Sequence, residues 1–171
     1  RIKEDKTAYA RACRIQMDNQ DVVSGEVLIQ KQNEKYLVQN LPARPLNRLE
    51  LDKVYALPFT RHYHPMYEAM GGVPAIEEVQ FSIIQNRGCY GGCNFCAITL
   101  HQGRRVTSRS GDSIVAEAER MTHEPEFKGY IHDVGGPTAN FRLPSCAQQM
   151  QEGMCGGGKH CLAPQPCPHL I

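Results

Sequence analysis

The sequence predicts an α/β fold built on a βαβ unit, and three observations carry that expectation. Glu78–Asn86 (Glu-Val-Gln-Phe-Ser-Ile-Ile-Gln-Asn) is rich in β-branched and aromatic residues and reads as a strand. Asp112–His123 reads as a helix, with Asp112 or Ser113 as N-cap and Pro125 as its stop. Gly129–Asp133 is a second short strand run that leads to Gly135-Gly136. Strand, helix, strand in that order implies parallel pairing and a right-handed crossover.

The other elements follow from local pattern. Residues 7–20 lack Gly and Pro and read as a helix, with Cys13 a small buried hydrophobe on it. Residues 26–30 and 35–39 are strand-like, and the polar stretch Lys31–Glu34 between them makes a hairpin. Leu41–Pro45 is a proline-marked connector to a short helix over Asn47–Tyr55, with Leu49 and Val54 expected to face a core. Residues 58–75 carry Pro58, Pro65, Gly71, Gly72 and Pro74 and read as an irregular linker. On the helix 112–123, Ile114, Val115, Ala118 and Met121 form one apolar face.

Bulk composition narrows the class. Hydrophobic residues are 41% and charged residues 22% of the 171, as in a soluble globular protein. A net charge of +1 gives no electrostatic reason to expect nucleic acid or an anionic membrane as partner. No apolar run approaches the roughly 20 residues that cross a bilayer. The opening Arg1-Ile2-Lys3-Glu4-Asp5 is neither a starting Met nor a signal peptide, which suggests a piece of a longer protein.

The eight cysteines carry the chemistry. Cys89, Cys93 and Cys96 have the spacing C-x3-C-x2-C around Gly91 and Gly92, at the end of the strand 78–86. Zinc knuckles present paired C-x2-C halves and use four ligands, and ferredoxins bring four cysteines to each [4Fe–4S] cluster. Three thiolates can hold three irons and leave the fourth open, which suits a cluster that binds a ligand. Gly91 and Gly92 let the backbone wrap a cube and bring amides to its sulfides. A zinc site completed by a distant residue is the alternative for the same cysteines.

With Phe95 just before the third cysteine, this loop resembles that of the radical S-adenosylmethionine (SAM) superfamily. The words around it are similar to the YgiQ-type radical SAM proteins. Among them are Gly71-Gly72-Val73-Pro74-Ala75-Ile76-Glu77-Glu78-Val79, Cys96-Ala97-Ile98-Thr99, His101-Gln102-Gly103-Arg104 and Asp133-Val134-Gly135-Gly136-Pro137-Thr138-Ala139-Asn140. The resemblance implies a [4Fe–4S] cluster on Cys89, Cys93 and Cys96, and SAM as the partner on its open iron. It implies reductive cleavage of SAM to a 5′-deoxyadenosyl radical, with electrons from a one-electron reductant such as flavodoxin or ferredoxin. Phe95 would lie against the adenine, and Gly135-Gly136 would meet the SAM amino group. Pro137 stands where the superfamily has a glutamate, so a carboxylate contact there is lost.

The implied fold is a partial TIM-like barrel of which this chain holds the first βαβ part. Residues 1–75 would then be the tail of an N-terminal α/β region plus linker. Residues 76–143 would be the N-terminal part of the radical SAM core, and 144–171 a Cys-, Gly- and Pro-rich segment. The parent would be a cytoplasmic enzyme of unread substrate, and this chain incomplete for catalysis. An iron–sulfur electron-transfer module and a zinc-stabilised structural domain are the rival classes.

Cys146, Cys155, Cys161 and Cys167 have gaps of x8, x5 and x5. Four soft ligands suit a second cluster or zinc, with unpaired thiols or disulfides formed on oxidation as alternatives. Arg104, Arg105 and Arg109 read first as solvated surface, and as SAM or substrate contacts second. Asp133 offers a polar contact to SAM at a strand end. His62, His64, His101 and His132 are assigned no role.

Overall fold

The computed structural model describes residues 4–136, 139–156 and 161–171. In chain order the elements are helix α1 (Lys6–Asp18), strands β1 (Leu28–Gln32) and β2 (Lys35–Gln39), and helix α2 (Arg48–Tyr55). A 3-10 turn (Pro65–Met70), helix α3 (Ile76–Val79) and strands β3 (Ser82–Ile84) and β4 (Asn86–Arg87) follow. Then come α4 (Ile98–Gln102), β5 (Thr107–Ser108), α5 (Gly111–Thr122), β6 (Asp133–Gly135) and α6 (Ala147–Glu152). None of the described helices is long and apolar enough to cross a membrane. The chain forms two compact units: residues 1–45, 88–106 and 143–171 make one, and residues 46–87 and 107–142 the other.

In the first unit, the Asp5 carboxylate caps α1 by accepting from the Thr7 and Ala8 amides at 2.9 and 3.1 Å. Cys13 on this helix is half-buried rather than enclosed. Strands β1 and β2 pair antiparallel from Leu28↔Gln39 to Gln32↔Lys35, so the loop is only Asn33-Glu34. Lys31 and Gln32, expected in the connection, belong to the strand. The tight turn is possible because Asn33 takes the left-handed region, with φ 55°, which Asn tolerates better than most residues.

The second unit contains the expected parallel pair. β3 runs parallel to β6 in the register Ser82↔Asp133, Ile83↔Val134, Ile84↔Gly135, with α5 between them in sequence. Phe81, Ile83 and Met121 form the buried core, and Ile114, Ala118, Phe127 and Ile131 pack against it. Both strands are shorter than their sequence runs suggest. Glu77 and Glu78 lie in the first turn of α3, just after Pro74, where carboxylates favour a helix N-terminus. Ladder pairing at β6 begins only at Asp133.

Other expectations are corrected here too. The α5 N-cap is Ser110, whose hydroxyl accepts from the Ser113 amide at 3.1 Å, so neither Asp112 nor Ser113 caps the helix. Met121, Ile114 and Ala118 face the core, but Val115 is exposed. In α2 the capping box of Asn47 and Glu50 sets the helix phase so that Leu51 is buried. Leu49, at 66% exposure, and Val54 therefore point to the outside of this unit.

The largest correction concerns Arg109, which is fully buried instead of solvated. Its guanidinium donates to the Ile84 carbonyl at 2.9 Å, to the Ser113 carbonyl at 2.9 Å and to the Glu117 carboxylate. It also lies 4.3 Å from the centre of the Tyr55 ring. Glu117 accepts a second ion pair from Arg61, which itself holds the Gln80 carbonyl at 3.0 Å. Burial pushes the Tyr55 phenol above its usual pKa, and the Arg109 and Arg87 charges only partly oppose this. Glu117→Ala would leave the buried Arg109 and half-buried Arg61 guanidinium groups without their shared anion. Urea unfolding should show a loss of about 3–5 kcal/mol, and a loss below about 1 kcal/mol would refute this role.

Candidate functional site

The cysteine loop leaves β4 through Gly88, whose φ of 89° is the left-handed region. A Cβ there would collide with the Arg105 carbonyl. The Gly88 amide donates to the Gln102 side chain at 3.1 Å, and the Cys89 amide to the Gly103 carbonyl at 3.1 Å. The start of the loop is therefore stapled to the chain that follows α4. Only glycine allows that closeness.

Inside the loop, the Gly91 amide approaches the Cys89 thiol at 3.4 Å. A Cβ on Gly91 would stand 3.3 Å from the Cys89 Sγ and 3.7 Å from the Cys93 Sγ. Two thiols thus converge on the bare face of Gly91, and a side chain there would fill the space they share. The Cys96 amide donates to the Cys93 carbonyl at 3.1 Å, closing a turn that keeps the third cysteine on the same short loop. Cys89 is buried, Cys96 half-buried and Cys93 exposed. Phe95 is 92% exposed.

All eight cysteines are thiols. Among the described residues, no three His, Cys, Asp or Glu side chains stand close enough together to hold a metal ion. In donor chemistry the loop would suit a three-thiolate cluster, with Gly91 leaving room beside the Cys89 and Cys93 sulfurs. Its side chains would have to turn inward to complete the set. Burial pushes the Tyr90 phenol upward, and the neighbouring Cys161 and Cys89 add to that shift. One loop cysteine and one C-terminal cysteine thus sit near the same tyrosine.

The four C-terminal cysteines meet around one cavity. Cys146, Cys155, Cys161 and Cys167 all line it, together with Arg104 and Gln149. Gln149 holds the Arg104 carbonyl at 3.2 Å and the Ser145 hydroxyl at 2.7 Å, which ties α6 to the segment after α4. The Cys167 amide donates to the Cys161 carbonyl at 2.8 Å. Arg104 is buried, against the surface reading.

The strand-end glycines belong to the other unit. Gly135 is buried; a Cβ on it would stand 2.6 Å from the Asn140 Oδ1 and 3.0 Å from the Asp133 carboxylate. The Gly136 amide donates to Asn140 at 3.1 Å, and a Cβ on Gly136 would collide with the Asn86 amide. Pro137 lies outside the described residues. Asp133 is exposed. Sequence reasoning passed over Asn86, which is 1% exposed with both side-chain polar atoms unpartnered among the described residues. Its place at the strand end just before the cysteine loop was the available signal.

Comparison with known proteins defines the class: residues 1–82 match the family described as radical SAM N-terminal, a stretch that ends before the cysteine loop. Its relatives are UPF0313 proteins, of the YgiQ-type radical SAM kind. It is similar to a UPF0313 protein of Clostridium perfringens, 57% identical over 169 residues, covering 99% of this chain and 25% of the relative. A UPF0313 protein of Clostridium botulinum is 55% identical over 170 residues, covering 99% of this chain and 26% of the relative. The chain spans about a quarter of the length of these relatives. No solved structure matches it.

Gly88→Ala tests the staple. The φ penalty of roughly 1–2 kcal/mol and the carbonyl clash should open the loop entry. Labelling by a water-soluble thiol reagent should reach Cys89 at least about tenfold faster than in the wild type, by a loss of at least about 1.4 kcal/mol. Unchanged labelling would mean that the loop does not depend on Gly88.

Proposed function

We propose that this chain is the cluster- and SAM-binding portion of a radical SAM enzyme. The observation that carries the reading is the convergence of the Cys89 and Cys93 thiols on the bare face of Gly91, beside its amide. Cys89, Cys93 and Cys96 would hold a [4Fe–4S] cluster with one iron open. When bound, that cluster supplies the electron that cleaves SAM to methionine and a 5′-deoxyadenosyl radical.

The chain's own residues bind and orient. The Gly91 amide, already directed at the Cys89 sulfur, would tune the cluster potential. The exposed Phe95 ring would cover the adenine, and Gly135 and Gly136 would offer backbone groups to the SAM amine. Pro137 can give a carbonyl but no carboxylate. Asn86, buried against Gly136 with no described partner, would supply a polar contact in its place. The parallel pair β3–β6 would be the start of a partial TIM-like barrel. Residues 1–75, 76–143 and 144–171 would be the preceding α/β region, the core and the Cys-rich segment. Flavodoxin or ferredoxin would be the electron donor, and the cytoplasm the compartment.

Anaerobic reconstitution of the full-length protein with iron and sulfide tests this. About four irons should bind and be lost in the Cys89→Ala, Cys93→Ala, Cys96→Ala triple variant. The EPR signal of the dithionite-reduced protein should change on adding SAM, and 5′-deoxyadenosine should form. An EPR signal indifferent to SAM favours the electron-transfer module, and tight zinc with no iron favours the structural domain. For the SAM contact, Asn86→Ala should weaken SAM binding roughly tenfold, about 1.4 kcal/mol, with iron content unchanged. Equal SAM affinity in the two proteins removes Asn86 from the site.

A further inference from the structure

We infer that Cys146, Cys155, Cys161 and Cys167 form a second metal site, separate from the loop, that takes a single soft divalent ion of the zinc class. Four features support it. The first is convergence: four cysteines spread over residues 146–167 line one cavity, although no C-x2-C pattern relates them. The second is donor type. The ligand groups that line the cavity among the described residues are thiols, with no Asp or Glu, and soft donors favour zinc over magnesium or calcium.

The third feature is charge. Arg104 lines the same cavity, is nine-tenths buried, and its Nε has no hydrogen-bond partner among the described residues. A buried guanidinium with an unmet donor calls for an anion. Four thiolates around a divalent ion carry a net charge of about −2, and so supply that anion. The fourth is size. The cavity measures about 20 Å3, on a scale where one water needs about 10–15 Å3. That space matches one ion more closely than a four-iron cube.

The sulfurs ring the space without closing into a tetrahedron, since no three potential ligands stand within reach of one ion among the described residues. Cys155 is exposed. The other three are half-buried. Cys146 already accepts from the Gln149 amide at 3.4 Å, which holds its sulfur at the start of α6. On this assignment the ion draws the C-terminal segment onto the chain after α4, much as a structural zinc organises a small domain.

The test is metal analysis of the full-length protein prepared without oxygen, with zinc and cobalt(II) as probes. The wild type should hold one zinc per chain beyond its iron. Cobalt(II) should give the intense visible bands and sulfur-to-metal charge transfer of a tetrahedral thiolate site. Both signals should persist in the Cys89→Ala, Cys93→Ala, Cys96→Ala triple variant, which separates this site from the proposed cluster. They should vanish in Cys161→Ser and in Cys167→Ser. Arg104→Gln should bind zinc roughly 10–100-fold more weakly, as changes beside metal ligands do. Zinc that leaves with the loop triple variant overturns the assignment, as does its absence from the wild type. Iron and sulfide retained by the C-terminal cysteines would show a cluster and overturn the single-ion site. The cobalt spectrum of the loop triple variant decides the matter even if a C-terminal cysteine variant fails to fold.

Discussion

The second unit depends on one buried cation. Arg109 reaches from the end of β5 to the carbonyl of Ile84 at the end of β3, to Ser113 in the first turn of α5, and to Glu117 one turn further on. A guanidinium has five donors in a rigid plane, so it can hold a strand end and a helix at once, where a lysine could not. Its backbone amide also donates to the Gln85 carbonyl at 2.8 Å, next to the last residue of the parallel ladder. Removing both charge and hydrogen bonds from this point would leave a three-residue ladder with little else to anchor its end. Such short strands are marginal by themselves. The glycine-marked strand end and the buried Asn86 side chain therefore rest on the Arg109–Glu117 network.

The first unit is organised by sulfur and glycine in place of a large apolar core. Its described buried apolar residues are few, and the hairpin strands are mostly exposed. What holds the cysteine loop is backbone: the Gly88 and Cys89 amides bound to the Gln102 side chain and the Gly103 carbonyl. The C-terminal segment is attached by Gln149 and by the Ile171 amide on the Ser145 carbonyl at 3.0 Å. A unit with so little apolar burial gains most from ligands that bind only its folded form. Clustered thiols are well placed to provide that linkage.

Much of the fold was legible because it depends on local chemistry. The helix at 6–18 follows from a run without Gly or Pro behind Asp5, and the hairpin from two β-rich runs around Asn33. Parallel pairing of the strand runs followed from an intervening helix long enough for a crossover. Phase was harder. Leu49 and Leu51 are equally apolar, and only the helix start at Asn47 and the neighbours of α2 bury one and expose the other. Arginine was misread for a related reason. Its average preference is solvent, and burial needs partners such as Glu117, which lies eight residues away and carries no signal as a pair.

The sequence alone determined the kind of site: three thiols at C-x3-C-x2-C spacing, glycines between them and an aromatic beside the third. Spacing within eight residues is a covalent property, and any fold must keep those sulfurs on one loop. Tertiary structure decided the rest. It buried Cys89 while exposing Phe95, put Asn86, without a partner among the described residues, against Gly136, and gathered four scattered cysteines around Arg104. Those relations join residues distant along the chain. They arise from packing and charge compensation, which a reading of local pattern does not contain.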